Sequence, residues 1–514
     1  MKTRWKILIG LAPVLGIAVL AAVAHHFQLK AAVNRYRAEL KAKGEPMELA
    51  EVLPPSVPPE QDWAHLFTNA IAQLNTNNSV LSSNQPPMMR MVAPGKAMVG
   101  WRQIEVRESG KQGATNSWAE IDAALKEEQA ALDLLYTLPL QPVFNFKLNY
   151  AAGFGKMKFS PLASGKKAVQ RLASATVNHL RRGEVNFADQ NILAMLAVDN
   201  GFSHDRTLIS ELVRIAIAQI TLTANWEWLQ SSGIKDTQLA AVQQSWENLE
   251  FIRPFENSMA IERVVGAIEL TTLRNSGLEA YFDRMNILGL FDFEEGLVSN
   301  LKIKCKSAMW HYWWSYPDEL RELKGIQFVV EATRQAQTYN SFFVADKDLK
   351  TKIESLGIKP DEGDAFWFTD PAKADFHFII SSSLNAFETA FKKVMKVETA
   401  KQMTITAIAL KRFQLKHGSF PQQLAELTPE FLASVPLDPV DGQPLRYRLN
   451  ADGSFTLYSV AENGKDDGGD PAMEPGAQSA SFQWQNAHAL DWVWPQPATA
   501  AEVQKYYAEQ ANKP

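Results

Sequence analysis

The side chains best suited to chemistry lie in one loop near the end of this sequence. Residues 459–470 carry hydroxyl, amide and carboxylate oxygens, on Ser459, Glu462, Asn463, Asp466, Asp467 and Asp470, and glycines stand among them. Calcium takes about six to eight oxygen ligands of these kinds, and backbone carbonyls can complete the set. The loop is therefore a candidate calcium site. Asn-Gly and Asp-Gly-Gly also form turns by themselves, so a solvated hairpin loop is the alternative.

A helix and two strands must position this loop. Residues 445–449 and 454–459 alternate around Asp452-Gly453, the pattern of a β-hairpin whose second strand runs into the loop. Upstream, apolar residues recur at helical spacing, at Ala400, Met403, Ala407, Leu410 and Phe413. The prolines of residues 435–444 exclude a helix or a central strand between these two parts.

In this order the features of residues 398–496 resemble the C-terminal globular domain of the major pseudopilin of type II secretion. They are a helix ending at Gly418, Phe420-Pro421, a leucine-bearing segment, Pro436-Leu437-Asp438-Pro439 and a hairpin ending in Tyr458-Ser459. The resemblance implies a small α+β module with antiparallel strands and a calcium-binding loop. It also adds Asp491, just before the last strand, as a ligand. The implied metal ligands are Ser459, Asn463, Asp466, Asp467, Asp470 and Asp491.

Other catalytic signatures are absent from the sequence. It contains no H-E-x-x-H, G-x-S-x-G or P-loop motif, and its single cysteine, Cys305, excludes a multi-cysteine metal site. The densest aromatic cluster, residues 309–316, includes His311 and could stack on sugar rings; a packed elbow between helices is the alternative. Arg214 and Glu262 stand in apolar helical stretches, where an unpaired charge is costly. We expect Arg214 to pair with Glu262 or with Glu211, one turn away.

The N-terminal segment predicts the compartment. Lys2, Arg4 and Lys6 precede an uncharged run, residues 7–24, and positive charge stays on the cytoplasmic side of a membrane. The run fits either a retained anchor or a cleaved signal. The helical pattern continues to Leu40 without a break, which favours the anchor. The rest of the chain then carries 49 basic against 57 acidic residues, a net charge of −8. Such a balance disfavours nucleic-acid binding.

The remaining sequence predicts a mainly α protein with an N-terminal transmembrane helix, a helical-bundle ectodomain and the small C-terminal α+β module. Helical periodicity covers about 60–74, 117–136, 160–180, 186–198, 205–229, 237–249, 256–276, 318–340 and 375–414. The run 205–229 is apolar nearly all round, which predicts a buried central helix. The expected divisions are 1–26 (signal anchor), 27–60 (juxtamembrane helix and proline-rich stalk), 61–397 (ectodomain), 398–496 (module) and 497–514 (tail).

The whole order of features also resembles membrane-anchored proteins of planctomycetes and verrucomicrobia. Gly44-Glu45-Pro46, the helical hairpin, the helix with Leu212-Val213-Arg214-Ile215-Ala216 and the terminal module carry this resemblance. It implies no activity. We therefore expect a non-enzymatic scaffold in the inner membrane, single-pass and mostly periplasmic, that contacts envelope proteins. The alternative is an envelope hydrolase or glycan-binding protein that uses residues 310–316.

Overall fold

The structure is a computed structural model that describes most of the chain. The described residues are 2–74, 80–81, 86, 88–104, 106–107, 115–157, 159–276, 307–357, 384–475 and 484–511. Cys305 lies outside them. The chain is mainly helical with small antiparallel sheets, as predicted.

Helices make up most of the described chain. They are α1 (Lys2–Ala42), α2 (Leu49–Val52), α3 (Ala64–Ala72), α4 (Trp118–Glu127), α5 (Gln129–Tyr136), α6 (Ser160–Arg181), α7 (Val185–Gly201), α8 (Leu208–Leu229), α9 (Asp236–Glu247), α10 (Ile252–Ser276), α11 (Ser315–Tyr339), α12 (Phe342–Ser355), α13 (Leu384–His417) and α14 (Ala500–Ala511). The strands are β1 (Arg90–Ala93), β2 (Lys96–Met98), β3 (Val106–Arg107), β4 (Thr115–Asn116), β5 (Arg446–Leu449), β6 (Phe455–Ser459), β7 (Trp492–Val493) and β8 (Gln496–Pro497).

The centre of the body is α8, as its all-round apolar pattern predicts. Thr207 caps its first turn by accepting the Ser210 N–H, and Trp226 and Trp228 are fully buried near its end. α6 and α7 form the predicted antiparallel hairpin, and both pack on α8. Among the residues whose side chains the structure describes, which exclude 1–19, α8 is also the one helix long and apolar enough to cross a membrane, but 61% of its apolar window is buried inside the fold.

A small sheet joins residues 90–98 to a strand near the C-terminus. β2 pairs with β1 in an antiparallel hairpin and with β8 in parallel, where Lys96 lies opposite Gln496, 400 residues further along the chain. Behind this sheet α14 buries Val503 against Val92 and Met98, and Glu502 bonds Lys96 at 2.5 Å. The segment expected to be a tail, 497–514, is thus a strand and a helix packed on the body through residue 511.

The segment expected to be a stalk also packs on the body. α1 is one continuous helix of 41 residues, and its Val33 and Leu40 are buried against the fold. Just beyond it, Glu45 is only 5% exposed and forms ion pairs with Arg263 of α10 and Arg334 of α11. A free spacer needs solvated side chains, and this segment instead has an apolar stripe and a buried carboxylate. Residues 33–52 therefore belong to the body.

Candidate functional site

The hairpin predicted to hold the acidic loop forms as expected. β5 and β6 pair antiparallel, with Arg446 opposite Tyr458, and β7 adds a third strand beside the end of β6. Asp491 directly precedes β7, and the loop of residues 459–470 directly follows β6. The register therefore brings Asp491 to the loop, as the resemblance implies.

Asp438 organises the near end of this site. It is fully buried and accepts hydrogen bonds from the Ser459 hydroxyl (2.8 Å), from the Val440 N–H (3.0 Å) and from the Val460 N–H (3.1 Å). Arg446 adds an ion pair at 3.0 Å. Ser459, predicted as a metal ligand, thus has its hydroxyl committed to Asp438. The sequence pattern predicts only a proline-rich turn at Asp438; the signal for its role was its place before Pro439, beside a strand that ends in serine.

The acidic side chains of the loop have different hydrogen-bond partners. Asp466 accepts the Tyr458 hydroxyl (2.9 Å) and the Gly468 N–H (3.0 Å), and it faces Arg446 at 3.6 Å. Asn463 donates to Asp467 at 3.1 Å. The carboxylate of Asp470 accepts the Ala472 N–H at 2.9 Å and caps its own turn.

Asp491 has the least satisfied oxygen of the site. It is 1% exposed, and its Oδ2 accepts the N–H groups of Gly469 (2.8 Å) and Asp470 (3.2 Å). Its Oδ1 is buried and has no hydrogen-bond partner among the described residues. Burial raises the pKa of Asp491 to about 6, and the charge of Asp467 adds to the rise. A buried, unpaired carboxylate oxygen beside a second carboxylate is what a bound cation would stabilise.

The six predicted ligands therefore have separate partners and do not converge on one point. Ser459 and Asp466 are held by Asp438, Arg446 and Tyr458, and Asp470 caps its own turn, while the charge of Asp467 acts on Asp491. Within the described ranges no three carboxylate, imidazole or thiol side chains converge in a way that could hold a metal ion. A cation in this loop would need amide and backbone oxygens beside the Asp467 and Asp491 carboxylates.

The loop is also fixed to the helical body. Gly464 has a φ of +67°, and a Cβ there would lie 2.6 Å from the ring of Phe343 on α12. Glu462 forms an ion pair with Lys396 of α13 at 2.7 Å. The body therefore holds the loop, and a residue larger than glycine at 464 would displace it.

The aromatic cluster of residues 309–316 is partly packed and partly exposed. Residues 310–314 form a π-helical turn at the start of α11, a form that is frequent at functional sites. Trp310 is buried and donates to Asp318 at 3.0 Å, whereas Tyr312 and Trp313 are 59% and 47% exposed. The packed elbow accounts for Trp310. Tyr312 and Trp313 need another explanation.

The buried arginine of α8 pairs as one of its two alternatives predicts. Arg214 bonds Glu211 at 2.7 Å and Asp199 of α7 at 3.1 Å, and it also donates to the Glu250 carbonyl. Glu262, the other alternative, is not its partner; the Glu262 carboxylate accepts the Leu208 N–H, and burial raises its pKa to about 8. The arginine and its partners are fully enclosed, which is typical of a structural ion cluster.

Comparison with protein-family models, with curated proteins and with solved structures finds no match to this chain.

Proposed function

We propose that this chain is a membrane-anchored envelope scaffold whose helical body presents the C-terminal module to protein partners. The single observation that carries the proposal is α1, one unbroken helix that begins with Lys2 and ends inside the body. Its first part holds the basic residues and the uncharged run that predict a span in the inner membrane. Its last part is fixed by Val33, Leu40 and the Glu45 ion pairs.

This continuity favours a retained anchor over a cleaved signal. A helix that crosses the membrane and then packs into the body holds that body at a set height and orientation. A scaffold needs such a constraint, whereas a released enzyme does not. The proposed location of the body and module is periplasmic.

The module adds the proposed calcium site. Asp491 supplies a buried oxygen without a hydrogen-bond partner among the described residues, the charge of Asp467 acts on it, and Asn463 donates to Asp467. Calcium would stabilise the two neighbouring charges that now repel each other. Because Asp491 must lose its proton to bind, affinity should fall as the pH drops through about 6.

The contacts around the aromatic turn do not favour a hydrolase. Glu319 is the one carboxylate that lines the cavity beside the turn within the described part of the chain, and both of its oxygens bond arginines. Hydrolysis of a glycosidic bond ordinarily uses two carboxyl groups that flank that bond.

Cysteine labelling tests the membrane topology. In a Cys305→Ser background, Asp452→Cys places a thiol in the exposed turn of the hairpin, and Thr3→Cys places one before the uncharged run. A membrane-impermeant maleimide should label the first in intact spheroplasts and the second only after lysis. Labelling of Asp452→Cys only after lysis would contradict an exported body.

Photo-crosslinking tests the scaffold role. Leu437 is an exposed apolar side chain of the module, 40% accessible, whereas Lys505 lies on the outer face of α14. A photoreactive residue at 437 should give a discrete protein adduct in cells, and the same residue at 505 should not. Equal, diffuse adducts from both positions would argue against a partner site on the module.

Thermal unfolding of the full chain in detergent tests the calcium site. Calcium at about a hundredfold over its dissociation constant should add about 2.7 kcal/mol of stability. Asp491→Asn should remove this response and, because it removes a buried charge, should raise the unfolding temperature in chelator. The matched control is Asp452→Asn, in the exposed turn of the same hairpin. Identical wild-type curves in millimolar calcium and in chelator would end the calcium proposal.

A further inference from the structure

A cavity of about 340 Å³ lies between α1, the end of α10 and the start of α11. The side chains that line it include His26, Lys30 and Arg37 of α1, Arg274 of α10, and His311 and Glu319 beside the π-helical turn. It lies apart from the acidic loop of the module, and nothing in the proposed calcium site uses it.

The charge of the cavity is positive. Arg37 and Arg274 both form ion pairs with Glu319, whose side chain is 1% exposed, so two cations share one carboxylate. The side chains of Arg37 and Arg274 are 34% and 12% exposed. Lys30 adds a further positive charge. Two guanidinium groups that line one cavity are suited to a phosphate, which arginine binds by paired hydrogen bonds.

The cavity lies at the end of the body closest to the predicted span. α1 and α11 run side by side in the same direction, because His26 contacts Tyr312 and Tyr316, Arg37 bonds Glu319, and Glu45 bonds Arg334 further along. His26 comes two residues after the uncharged run, which is about 3 Å along a helix. The π-helical turn is therefore level with the edge of the membrane that the sequence predicts.

Large apolar and aromatic side chains are exposed at this same level. On α1 they are Leu20, Val23 and Phe27. At the π-helical turn they are Tyr312 and Trp313, together with Met309 just before it. Leu20, Val23 and Phe27 share one helical face. Tyrosine and tryptophan are enriched where a protein meets the lipid headgroups, since their rings are apolar and their polar atoms stay in the wet layer. An exposed apolar patch beside a span is thus accounted for by the bilayer itself.

We propose that this end of the body lies in the membrane interface, with Tyr312 and Trp313 among the headgroups, and that the cavity binds the phosphate of an anionic phospholipid. Arg37 and Arg274 are the phosphate ligands, and Lys30 attracts the headgroup. The inference rests on the proposed membrane anchor and adds to it a lipid class. It also gives the exposed part of the aromatic cluster a role that packing alone does not.

Reconstitution of the full chain into nanodiscs of phosphatidylcholine and phosphatidylglycerol tests the inference. Native mass spectrometry of the released protein should find phosphatidylglycerol enriched over its share of the disc. Lys30→Gln should lower the enrichment about fivefold, as expected for one basic group at an anionic surface. The matched control is Lys43→Gln, which removes one positive charge just beyond α1, outside the lining of the cavity. An Arg274→Gln variant also removes an ion-pair partner of Glu319. It is therefore informative only if its unfolding temperature matches that of the wild type.

The possible outcomes separate the two proposals. If the chain fails to enter the discs, the membrane anchor is wrong. If it enters but shows no preference for phosphatidylglycerol, or loses that preference equally in Lys30→Gln and Lys43→Gln, the headgroup site is wrong. If Tyr312→Ser with Trp313→Ser leaves the lipid ratio unchanged but abolishes binding of soluble peptidoglycan fragments, the face is a glycan platform and the inference is overturned.

Discussion

At the scale of single residues, the buried charges of the body determine where a substitution is costly. Arg214 holds two buried carboxylates, Asp199 and Glu211, and each of them keeps one oxygen without a hydrogen-bond partner among the described residues. Burial raises the pKa of Asp199 to about 7 even with the arginine present. Arg214 is thus the cation that these two carboxylates share.

Arg214→Leu should lower the free energy of unfolding by roughly 3 kcal/mol, because it leaves Asp199 and Glu211 buried without a counter-ion. Urea denaturation at neutral pH measures the change. The matched control is Arg182→Leu, since Arg182 pairs with Asp122 and Glu184 at a 45% exposed position and should cost less than about 1 kcal/mol. Equal, small losses in both variants would show that Arg214 is solvated.

The buried Glu227 carboxyl group should make the stability of the fold depend on pH. Its buried carboxylate accepts the N–H groups of Met89 (2.8 Å) and Gly100 (2.9 Å), and burial raises its pKa to about 8 from 4.5. The folded state then holds a proton that the unfolded state has lost. The stabilising contribution is complete below about pH 4.5 and is lost as the pH rises through about 8.

Glu227→Gln keeps an acceptor for both N–H groups and removes the titration. Its unfolding midpoint should therefore match that of the wild type near pH 5 and exceed it near pH 8. The control for a general effect of lost negative charge is Glu247→Gln, at the solvent-facing end of α9. A difference between Glu227→Gln and wild type that stays constant from pH 5 to pH 8 would contradict the raised pKa.

At the scale of elements, the sequence predicts long helices well. α6, α7, α8 and α9 lie within a few residues of their expected ranges, because apolar periodicity and end signals such as Arg181-Arg182-Gly183 agree there. The predicted helix over 117–136 is broken at Glu128, whose side chain is buried and pairs with Arg171. A tertiary contact made 43 residues away cannot be inferred from local periodicity.

Long-range pairing explains most of the other differences. The sheet of β1, β2 and β8 was not predicted, because β8 comes from the far end of the chain. In the candidate site, the hairpin was predicted from the residue pattern, and the place of Asp491 was implied by the resemblance. The capture of Ser459 by Asp438, across 21 residues, was not predicted. Local spacing identifies the ligands that a loop offers, but the packing around it decides which side chains are already engaged.

A substitution of Glu45 tests the junction between α1 and the body. It accepts hydrogen bonds from Arg263, Arg334 and Gln327, which lie on two other helices. Glu45→Ala leaves Arg263, which is 1% exposed, without its carboxylate and should cost roughly 3 kcal/mol. Hydrogen exchange should accelerate in residues 43–52. The nearby Glu48→Ala, which loses one exposed pair with Lys41, should stay within about 1 kcal/mol of wild type and keep its exchange pattern.

At the scale of the whole molecule, the body and the module share one core. The expected boundary at 397–398 falls inside α13, a helix of 34 residues whose two halves are both buried. One continuous set of buried apolar side chains includes Phe67 and Trp226 of the body together with Leu457 and Trp492 of the module. Polar contacts cross the same junction: Trp226 donates to the Pro495 carbonyl at 2.9 Å, and Gln243 donates to the Phe431 carbonyl at 2.8 Å.

A shared core of this kind should unfold as one cooperative unit. A cavity made in the module should therefore also destabilise the body. Trp492→Ala removes a fully buried indole at the end of the sheet and should cost about 3 to 5 kcal/mol. Under conditions where exchange follows global opening, the slowest amides of α8 should then accelerate as much as those of β6. The matched control is Leu415→Ala, a 46% exposed side chain on α13, which should change neither. Acceleration confined to β5–β7 would show that the module unfolds independently, and a scaffold built this way could release its module without opening the body.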